Sequence, residues 1–435
     1  MDKLKQKFYE KSVALKADLK TLLKDHGEMQ VDTVSIDQLI GGMRSVRSMI
    51  WDTSSLDPEE GIRFRGYNIP QLRELLPKAP GGNEPLPEGL FWLMMVGEIP
   101  TEEDVRWLSA EWNRRGEVPS HVYASLESLP ADTHPMTQFS IAVLAMQNES
   151  IFAQKYEEGM SKNDYWDVMY EDSMNMIAKL PRVAAYIYRR SFKGGDHIAP
   201  DPNLDWGGNF ARMLGFEHPD FYSLMRLYLT IHADHEGGNA SAHTMHLVGS
   251  TLSDVYYSFS AAMNALAGPL HGLANQEVIK WIFEMIEEIG TNNPTKEQVR
   301  QYINDTLAAG KVVPGYGHAV LRKPDPRFMA QKKFAEDYIK DDPIVQIVWD
   351  LFEIVPDILE SLGKVKNPWP NVDAHSGALL VHYGFTEYNY YTVLFGVSRA
   401  LGVCAGLCWD RALGLALERP KSITTDWLKK YVAAK

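Results

Sequence analysis

The chain is organised around residues 311–327, whose sequence is KVVPGYGHAVLRKPDPR. Pro314, Gly315 and Gly317 disfavour a continuous helix there, because proline lacks a backbone donor and glycine costs about 1 kcal/mol inside a helix. The stretch therefore predicts a shaped loop that holds His318, with backbone N–H groups nearby that can bind a ligand. A surface loop with an incidental histidine explains this one stretch equally well.

The rest of the sequence has the composition of a globular protein. It comprises 435 residues, 45% of them hydrophobic and 23% charged, so we expect a large core and two or three domains. The formal net charge of −13 makes nucleic acids and anionic membranes poor general partners. An anionic small molecule must then be held by local clusters of arginines.

Cysteine content and the amino terminus bear on the compartment. The two cysteines, Cys404 and Cys408, are four residues apart, which predicts a buried pair on one helix face rather than a metal site or a disulfide framework. A reducing compartment is expected. Residues 1–26 carry leucines among lysines and acids, unlike an arginine-rich transit peptide, and no signal peptide or membrane span is expected.

Helical signals dominate from end to end. Apolar residues recur at intervals of three and four from residue 70 to about residue 192 and again from residue 219. Thr295 and Gln298 form a capping-box pattern. Clear alternation occurs in residues 57–67 alone, which predicts a short strand or hairpin. The predicted fold class is therefore all-α.

Two residues near predicted helix starts are candidates for chemistry. The positive end of the helix that follows His271 disfavours an imidazolium, and a neutral histidine there can polarise a carbonyl. A buried histidine satisfied by the backbone is the alternative. Asp373 follows a Pro-Trp-Pro turn, and it is either a functional carboxylate or an N-cap worth about 1 kcal/mol.

Arg399 and a group of histidines add further candidates. Arg399 interrupts an apolar helix and has no acid three or four residues away, which predicts either a distant ion pair in the core or a carboxylate clamp. A zinc site is conceivable on two pairs of histidines spaced by three residues, but no His-Glu-x-x-His pattern is present and helix-end caps are more economical. The histidines in these pairs are His232, His235, His243 and His246.

Together these residues indicate a class of reaction. The sequence has neither a Gly-x-Ser-x-Gly elbow nor a Walker A motif, and Gly315-x-Gly317 is only half of a dinucleotide fingerprint. Histidines that can stay neutral, one carboxylate and scattered arginines suit proton abstraction next to a carbonyl and stabilisation of the enol. The substrates of such a site carry carboxylates.

Six motifs in the same order resemble the citrate synthase family, in its dimeric eukaryotic mitochondrial branch, over nearly the whole chain. They are residues 57–67, 235–239 with the following Ser-Ala-His-Thr, 268–277, 313–318, 367–377 and 417–422. The resemblance implies a large helical domain, residues 1–273 and 379–435, and a small inserted helical domain, residues 274–378, with the active site in the cleft between them. It also implies a homodimer in the mitochondrial matrix, a transit peptide already removed, and no metal or cofactor.

The resemblance implies condensation of acetyl-CoA with oxaloacetate, followed by hydrolysis of citryl-CoA to citrate and CoA. In that reaction Asp373 would remove a methyl proton, His271 would stabilise the enol, and His318 would polarise and protonate the oxaloacetate carbonyl. The implied ligands of the oxaloacetate carboxylates are His235, Arg327, Arg399 and Arg419, with Arg419 reaching in from the partner subunit.

For CoA, the resemblance implies that the backbone around residues 312–317 binds the adenine and that basic residues bind the phosphates. The predicted CoA-binding residues are Arg44, Lys162, Val312, Val313, Gly315, Gly317, Arg322, Lys364 and Lys366. Lys162 stands where close animal relatives have an arginine, so it keeps the charge and loses the bidentate fork.

Three other functions remain open at this point. A 2-methylcitrate synthase would accept propionyl-CoA, because one added methylene changes binding in a pocket by only about 1–3 kcal/mol. A zinc hydrolase would use the four histidines, and a non-catalytic helical scaffold would need none of these residues for ligand binding.

Overall fold

Helices form most of the structure, a computed structural model that describes residues 1–363 and 365–434. Over these ranges the chain forms twenty α-helices and three short strands, and the all-α prediction is confirmed. The helices are α1 (Lys3–His26), α2 (Ile36–Ile40), α3 (Ile69–Leu75), α4 (Pro87–Val96), α5 (Glu102–Arg115), α6 (Ser120–Glu127), α7 (Pro135–Ala145), α8 (Ile151–Glu157), α9 (Tyr165–Phe192), α10 (Trp206–Leu214), α11 (Pro219–Ile231), α12 (Ala240–Ser250), α13 (Val255–Leu266), α14 (Ala274–Ile289), α15 (Lys296–Ala308), α16 (Pro326–Tyr338), α17 (Pro343–Ser361), α18 (Asp373–His382), α19 (Tyr391–Leu413) and α20 (Thr425–Ala433).

The predicted hairpin is present as a small antiparallel sheet. Its strands are β1 (Ser54–Asp57), β2 (Gly61–Phe64) and β3 (Tyr67–Asn68), in the order β1-β2-β3. Gly61 has a φ of +87°, and a Cβ at this position would lie 2.4 Å from Cγ of Pro326 at the start of α16. The hairpin turn therefore lies directly against the segment that contains His318.

Helix α19 is the central helix of the core. All of its residues are buried, and it packs against α1, α4, α9, α11, α12 and α13. Within the described ranges, residues Tyr388–Leu413 alone are long and apolar enough to cross a bilayer, and the apolar window is entirely buried by the rest of the structure. Cys404 and Cys408 are buried free cysteines on this helix, as predicted.

Local sequence signals place the helix ends correctly. Thr295 accepts a hydrogen bond from the N–H of Gln298 and the Gln298 side chain accepts one in return, which confirms the capping box. Gly290 ends α14 with a φ of +79°. Helices α14 to α18 pack largely on one another. The predicted boundary after residue 378 crosses α18, and the division into domains stays a prediction.

Two irregular segments, residues 315–325 and 367–373, lie side by side. The N–H of Gly317 donates to the carbonyl oxygen of Trp369 at 3.0 Å, and the N–H of Asn371 donates to that of Gly315 at 2.9 Å. These bonds place the first residue of α18, Asp373, beside the loop that contains His318.

Glycines allow this close approach. Gly315 and Gly317 have φ values of +80° and +90°, which side chains rarely adopt. A Cβ on Gly315 would also lie 2.8 Å from Cγ2 of Val278 and 3.0 Å from Cα of Ala374. The predicted shaped loop is therefore confirmed. Backbone conformation explains glycine at both positions, and lack of space is a second reason at Gly315.

Candidate active site

The turn between α11 and α12 is fixed by the fully buried carboxylate of Asp234. Its Oδ2 accepts hydrogen bonds from Trp51 Nε1 at 3.0 Å, Thr53 Oγ1 at 2.6 Å and Ser54 Oγ at 2.8 Å. Its Oδ1 accepts one from the N–H of His235 at 3.0 Å. Asp234 thus links the backbone of His235 to the amino-terminal segment, although the two lie some 180 positions apart in the sequence.

His235 itself has a buried polar atom without a partner. Its Nε2 makes no hydrogen bond within the described part of the chain, and its ring meets that of His318 edge to face at 5.3 Å. Burial, followed by the charge of Arg327, holds the pKa of His235 well below its usual value. Because a buried unpaired nitrogen is costly, the geometry suits a ligand that supplies the missing partner.

Arg399 is a buried cation that is held by neutral groups. It is 1% exposed, and its Nη1 donates to Asn239 Oδ1 at 2.7 Å and to Ser241 Oγ at 3.1 Å. Burial lowers its pKa to about 10, with Asp234 opposing. No carboxylate among the described residues comes within ion-pair distance, so the predicted core ion pair is wrong. The arrangement suits an anionic ligand that would supply the counter-charge.

The hydrogen bonds of His271 define its tautomer. Its Nε2 accepts the backbone N–H of Ser241 at 3.2 Å and lies 2.9 Å from Ser241 Oγ. The ring proton of the neutral form is therefore on Nδ1, which is available to donate. Burial first, and then Arg399, lowers its pKa to about 3.

This arrangement corrects the predicted cause of the neutral state. The sequence assigned it to the positive end of the helix after His271, which is α14. Instead the N–H that meets the ring comes from the first turn of α12, and burial dominates the pKa.

His318 has the opposite tautomer. Its Nδ1 accepts the backbone N–H groups of Val320 and Leu321, both at 3.0 Å, so the neutral ring carries its proton on Nε2. Burial and the charge of Arg327 lower its pKa to about 4. These two N–H groups, and that of Gly317, are already bonded within the protein, so the prediction that they could bind a ligand is wrong for these three.

Arg327 is oriented by a bidentate contact with Asp325. Its Nε lies 3.0 Å from Oδ1 and its Nη2 lies 2.6 Å from Oδ2 of that carboxylate. Burial opposes ionisation of Asp325, but Arg327 outweighs it and the pKa of Asp325 stays below its usual value. Nη1 of Arg327 makes no hydrogen bond to any described residue, so one side of this buried guanidinium is free for a ligand.

Asp373 is the first residue of α18, and its side chain does not cap the helix. The N-cap is Val372, without a side-chain hydrogen bond, so the N-cap alternative is wrong. The backbone N–H of Asp373 donates to Asn371 Oδ1 at 3.0 Å, while its carboxylate has no hydrogen-bond partner in the described ranges. Burial raises its pKa to about 7, with Arg327 opposing. Such a carboxylate suits a general base near neutral pH.

The structure brings six of the predicted residues together, on helices and loops that are distant in sequence. Arg327 influences the pKa of His235, His318 and Asp373, and Arg399 influences that of His271 and Asp373. The ring of Phe395 lies 5.9 Å from that of His271 and 4.7 Å from the Arg399 guanidinium. The six residues are His235, His271, His318, Arg327, Arg399 and Asp373.

Most of the predicted CoA-binding residues lie on the two paired segments or just before them. Val313 is buried and Val312 is 79% exposed. Arg322 donates from Nη1 to the carbonyls of Val320 and Leu321, each at 2.8 Å. Lys366 is exposed, and Lys364 lies outside the described residues.

Three predicted residues stand apart from this cluster. Arg44, Lys162 and Arg419 are exposed, in a turn before the hairpin, in a 3-10 turn before α9 and in the segment after α19. Among the described contacts, no hydrogen bond, ion pair or ring contact links them to the clustered side chains. Their predicted roles are therefore not explained by the single chain.

Three of the four histidines of the zinc alternative have other partners. His232 Nδ1 lies 2.9 Å from the carbonyl oxygen of Tyr228, and His243 Nε2 lies 2.8 Å from Glu418 Oε1. His246 Nδ1 lies 2.8 Å from Asp410 Oδ2. In residues 1–363 and 365–434, no group of three or more His, Cys, Asp or Glu side chains could hold a metal ion.

A sequence model described as "Citrate synthase, C-terminal domain" matches residues 42–421. The chain belongs to the citrate synthase family. A relative named mitochondrial citrate synthase from Daucus carota is 59% identical over 413 residues, which cover 95% of this chain and 87% of the relative. A relative of the same name from Xiphias gladius is 59% identical over 418 residues, covering 96% and 89%.

Solved citrate synthase structures share the fold. That of Pyrobaculum aerophilum aligns with a TM-score of 0.75 at 29% identity, covering 89% of this chain and 92% of the other. That of Thermoplasma acidophilum, a ternary complex with carboxymethyl coenzyme A and oxaloacetate, aligns with a TM-score of 0.75 at 25% identity, covering 90% and 97%.

Sequence reasoning gave no role to several residues that hold the citrate synthase cluster in place. Asp234 fixes the turn before α12, and Asn239 and Ser241 hold Arg399. Asn371 donates from Nδ2 to the carbonyl oxygen of Gly317 at 3.2 Å. Asn239 alone had a readable signal, because an asparagine just before a helix indicates an N-cap, and its Oδ1 accepts the N–H of Ala242 at 3.2 Å.

Proposed function

We propose that this chain works as a citrate synthase in which Asp373, His271 and His318 perform the chemistry on acetyl-CoA and oxaloacetate. The activity, an acyl transfer by an enzyme, follows from the family and from the 59% identity with relatives that carry this name. One observation supports the residue roles: two neutral histidines present opposite ring nitrogens as donors near one carboxylate that has no described partner.

Oxaloacetate carries two carboxylates, and buried cations with free N–H groups bind them. Arg399 and Arg327 each have a guanidinium nitrogen without a partner in the described chain, and each is already oriented by other bonds. His235 donates or accepts through its unpaired Nε2. We propose that Arg419 of the partner subunit completes the set; among the described contacts, the chain's own Arg419 does not touch the cluster.

Enolisation of acetyl-CoA uses Asp373 and His271. The Asp373 carboxylate removes a proton from the methyl group, while Nδ1–H of His271 donates to the thioester oxygen. A thioester methyl is a weak acid, so the developing oxygen charge needs a preorganised donor. Because the pKa of His271 is about 3, its ring is neutral near pH 7. The neutral ring still carries the Nδ1 proton with which it donates.

Carbon–carbon bond formation then uses His318. The enol carbon attacks the oxaloacetate carbonyl carbon, and Nε2–H of His318 gives its proton to the carbonyl oxygen. The proton that Asp373 took from the methyl group then returns to the His318 ring, so both residues regain their starting forms. Citryl-CoA results, and addition of water breaks its thioester to give citrate and CoA. In this scheme the side chains of Asp373, His271 and His318 accept or donate every proton that moves. We therefore propose that neither a metal nor a cofactor is required.

CoA binds along the two paired segments. The backbone of residues 312–317 contacts the adenine, and basic side chains contact the phosphates. The proposed phosphate ligands are Arg44, Lys162, Arg322, Lys364 and Lys366. Residues 274–378 act as the small domain that closes over the bound substrates and excludes water.

A homodimer in the mitochondrial matrix is the proposed assembly and location. Large apolar side chains are exposed in two segments, one before the hairpin and the other after α19. Examples are Ile40, 76% exposed, in the first segment and Trp427, 49% exposed, in the second. Exposed apolar patches of this kind mark protein interfaces. The second segment also carries Arg419, which favours a shared site, and the mitochondrial names of the relatives support the location.

Thiol release tests the proposal. Purified protein is mixed with oxaloacetate and either acetyl-CoA or propionyl-CoA, with and without a chelator. We expect rapid CoA release with acetyl-CoA that a chelator does not change. Equal or faster release with propionyl-CoA would instead indicate a 2-methylcitrate synthase, and no release with either thioester would contradict both.

A further inference from the structure

The segment that follows α19 is anchored to α12 through Glu418. The chain leaves α19 at Gly414, with a φ of +72°, and has no regular secondary structure until α20. The backbone N–H of Glu418 donates to Ser250 Oγ at 3.1 Å, and its Oε1 lies 2.8 Å from His243 Nε2. Its side chain is 25% exposed, whereas the flanking Leu417 and Arg419 are exposed.

His246 joins the same anchor to the core. Its Nδ1 lies 2.8 Å from Asp410 Oδ2 on α19, and its Nε2 lies 3.6 Å from Glu418 Oε2. The hydrogen bond with Asp410 raises the pKa of His246, with burial and Arg411 opposing. Glu418 Oε2 is buried and has no hydrogen-bond partner among the described residues, and the His246 ring lies 3.6 Å from it.

The three anchoring residues share one face of α12. His243, His246 and Ser250 follow the spacing i, i+3, i+7, which aligns side chains along one side of a helix. The amino-terminal end of the same helix carries Asn239 and Ser241, which hold Arg399 and His271. One rigid helix therefore supports both the chain's own site and the segment that carries Arg419.

The side chains of Glu418 and Arg419 point in different directions. Arg419 precedes Pro420, and a residue before proline favours an extended backbone, in which successive side chains point to opposite sides. Glu418 turns toward its own α12, and Arg419, the next residue, is exposed and has no described partner. Fixing Glu418 against α12 thus aims Arg419 away from its own subunit.

We propose that Glu418, held by His243, His246 and Ser250, is a positioning residue that presents Arg419 to the oxaloacetate site of the partner subunit. This inference rests on the proposed function, because it needs a dimer with a shared site. It adds a residue that touches no substrate and acts through Arg419. Loss of the anchor weakens oxaloacetate binding in the partner's site and leaves the chemical step in place.

Two mixed dimers, purified with different tags, test this inference. In the first dimer one subunit carries Glu418→Ala and Asp373→Asn, and the other is unchanged. Only the unchanged subunit is active, and it receives Arg419 from the altered tail. In the second dimer one subunit carries Glu418→Ala and the other carries Asp373→Asn, so the active site receives Arg419 from an intact tail.

We expect the KM for oxaloacetate in the first dimer to exceed that in the second roughly tenfold, because small misplacements of a binding group are costly. The kcat and the KM for acetyl-CoA should agree within about twofold. Glu418→Gln, which keeps the shape and removes the charge, should show a smaller difference in the same direction. Equal KM values in the two dimers would overturn the inference, since Glu418 would then act within its own subunit or not at all.

The same two mixed dimers, made with Arg419→Ala in place of Glu418→Ala, distinguish failure of this inference from failure of the proposed shared site. If Arg419→Ala also gives equal KM values, the shared site is wrong and the inference fails with it. If Arg419→Ala raises the KM only in the first placement while Glu418→Ala has no effect, the shared site stands and the anchor alone is refuted. Glu117→Ala, on an exposed carboxylate of α5's carboxyl-terminal flank, is the matched control and should change neither dimer.

Discussion

Two regions of the candidate site are built in different ways. The α12 region comprises Asn239, Ser241, His271 and Arg399, and each of these side chains is held by at least two hydrogen bonds. The paired-loop region comprises residues 315–325 and 367–373, whose irregular backbones are joined by three backbone hydrogen bonds and by the side-chain amides of Asn367 and Asn371. The first region is therefore rigid before a ligand arrives, while the second can adjust when one binds.

The two histidines illustrate this difference. Burial keeps both rings neutral, but a helix N–H fixes the tautomer of His271, whereas two consecutive loop N–H groups fix that of His318. Both rings are donors, but through different nitrogens. The tautomer is thus set by a helix end in one region and by a loop in the other.

Asp373→Asn should have the largest effect. Asparagine keeps the shape but cannot accept a methyl proton, so kcat should fall by about 10³-fold while oxaloacetate still binds. Steady-state kinetics measure kcat and the KM for oxaloacetate. Hydrogen exchange from the methyl group of acetyl-CoA, followed by NMR, measures proton removal. Asp357→Asn, an exposed aspartate on α17, is the control. Proton exchange that persists in Asp373→Asn would contradict the assignment of the base.

Arg399→Lys tests the rigid α12 region. Lysine keeps the charge but cannot reproduce the bonds to Asn239 and Ser241 and to a carboxylate at once. We expect the KM for oxaloacetate to rise about 10²-fold, with the KM for acetyl-CoA changed far less. Circular dichroism and thermal unfolding check that the variant folds. A normal oxaloacetate KM in a folded variant would show that Arg399 is not a carboxylate ligand.

Asn371→Ala and Ser241→Ala compare the two regions directly. Asn371 holds both Gly317 and the backbone of Asp373, so its loss should lower kcat roughly tenfold. Ser241→Ala keeps the backbone N–H that fixes the His271 tautomer, and kcat should fall only about threefold. Kinetics of both variants under one set of conditions give the ranking. If Ser241→Ala lowers kcat more than Asn371→Ala does, the α12 region does not tolerate the loss of one hydrogen-bonding side chain better than the paired-loop region.

The pH dependence should be the mildest effect near neutral pH, about a twofold reduction at pH 7. Asp373 acts as a base only when ionised, and its pKa is raised to about 7, so kcat/KM should be half-maximal near pH 7. Activity should fall about tenfold per pH unit below that point and level off above it. His271 and His318, with pKa values of about 3 and about 4, should add no inflection between pH 5.5 and 9. A profile that is flat through pH 7 would contradict Asp373 as the titrating base.

Local sequence patterns were sufficient for the helices and the hairpin. The capping box at Thr295, the glycine stop at Gly290 and the alternation in residues 57–67 involve residues within a few positions of one another. Hydrogen bonds and backbone preferences over such distances are specified by the sequence itself. The candidate residues were also named from the sequence, by motif resemblance, and their roles stay predictions.

Protonation states and partners came only from the tertiary structure. Oδ2 of Asp234 takes its donors from residues 180 to 183 positions away, and Ser241 meets His271 across 30 positions. The sequence placed His271 at a helix dipole and Asp373 at a possible N-cap, whereas burial and distant arginines set both pKa values. The sequence by itself determined which side chains were available. Only the fold decided their solvation and neighbouring charges, because electrostatic free energies depend on distance in space rather than along the chain.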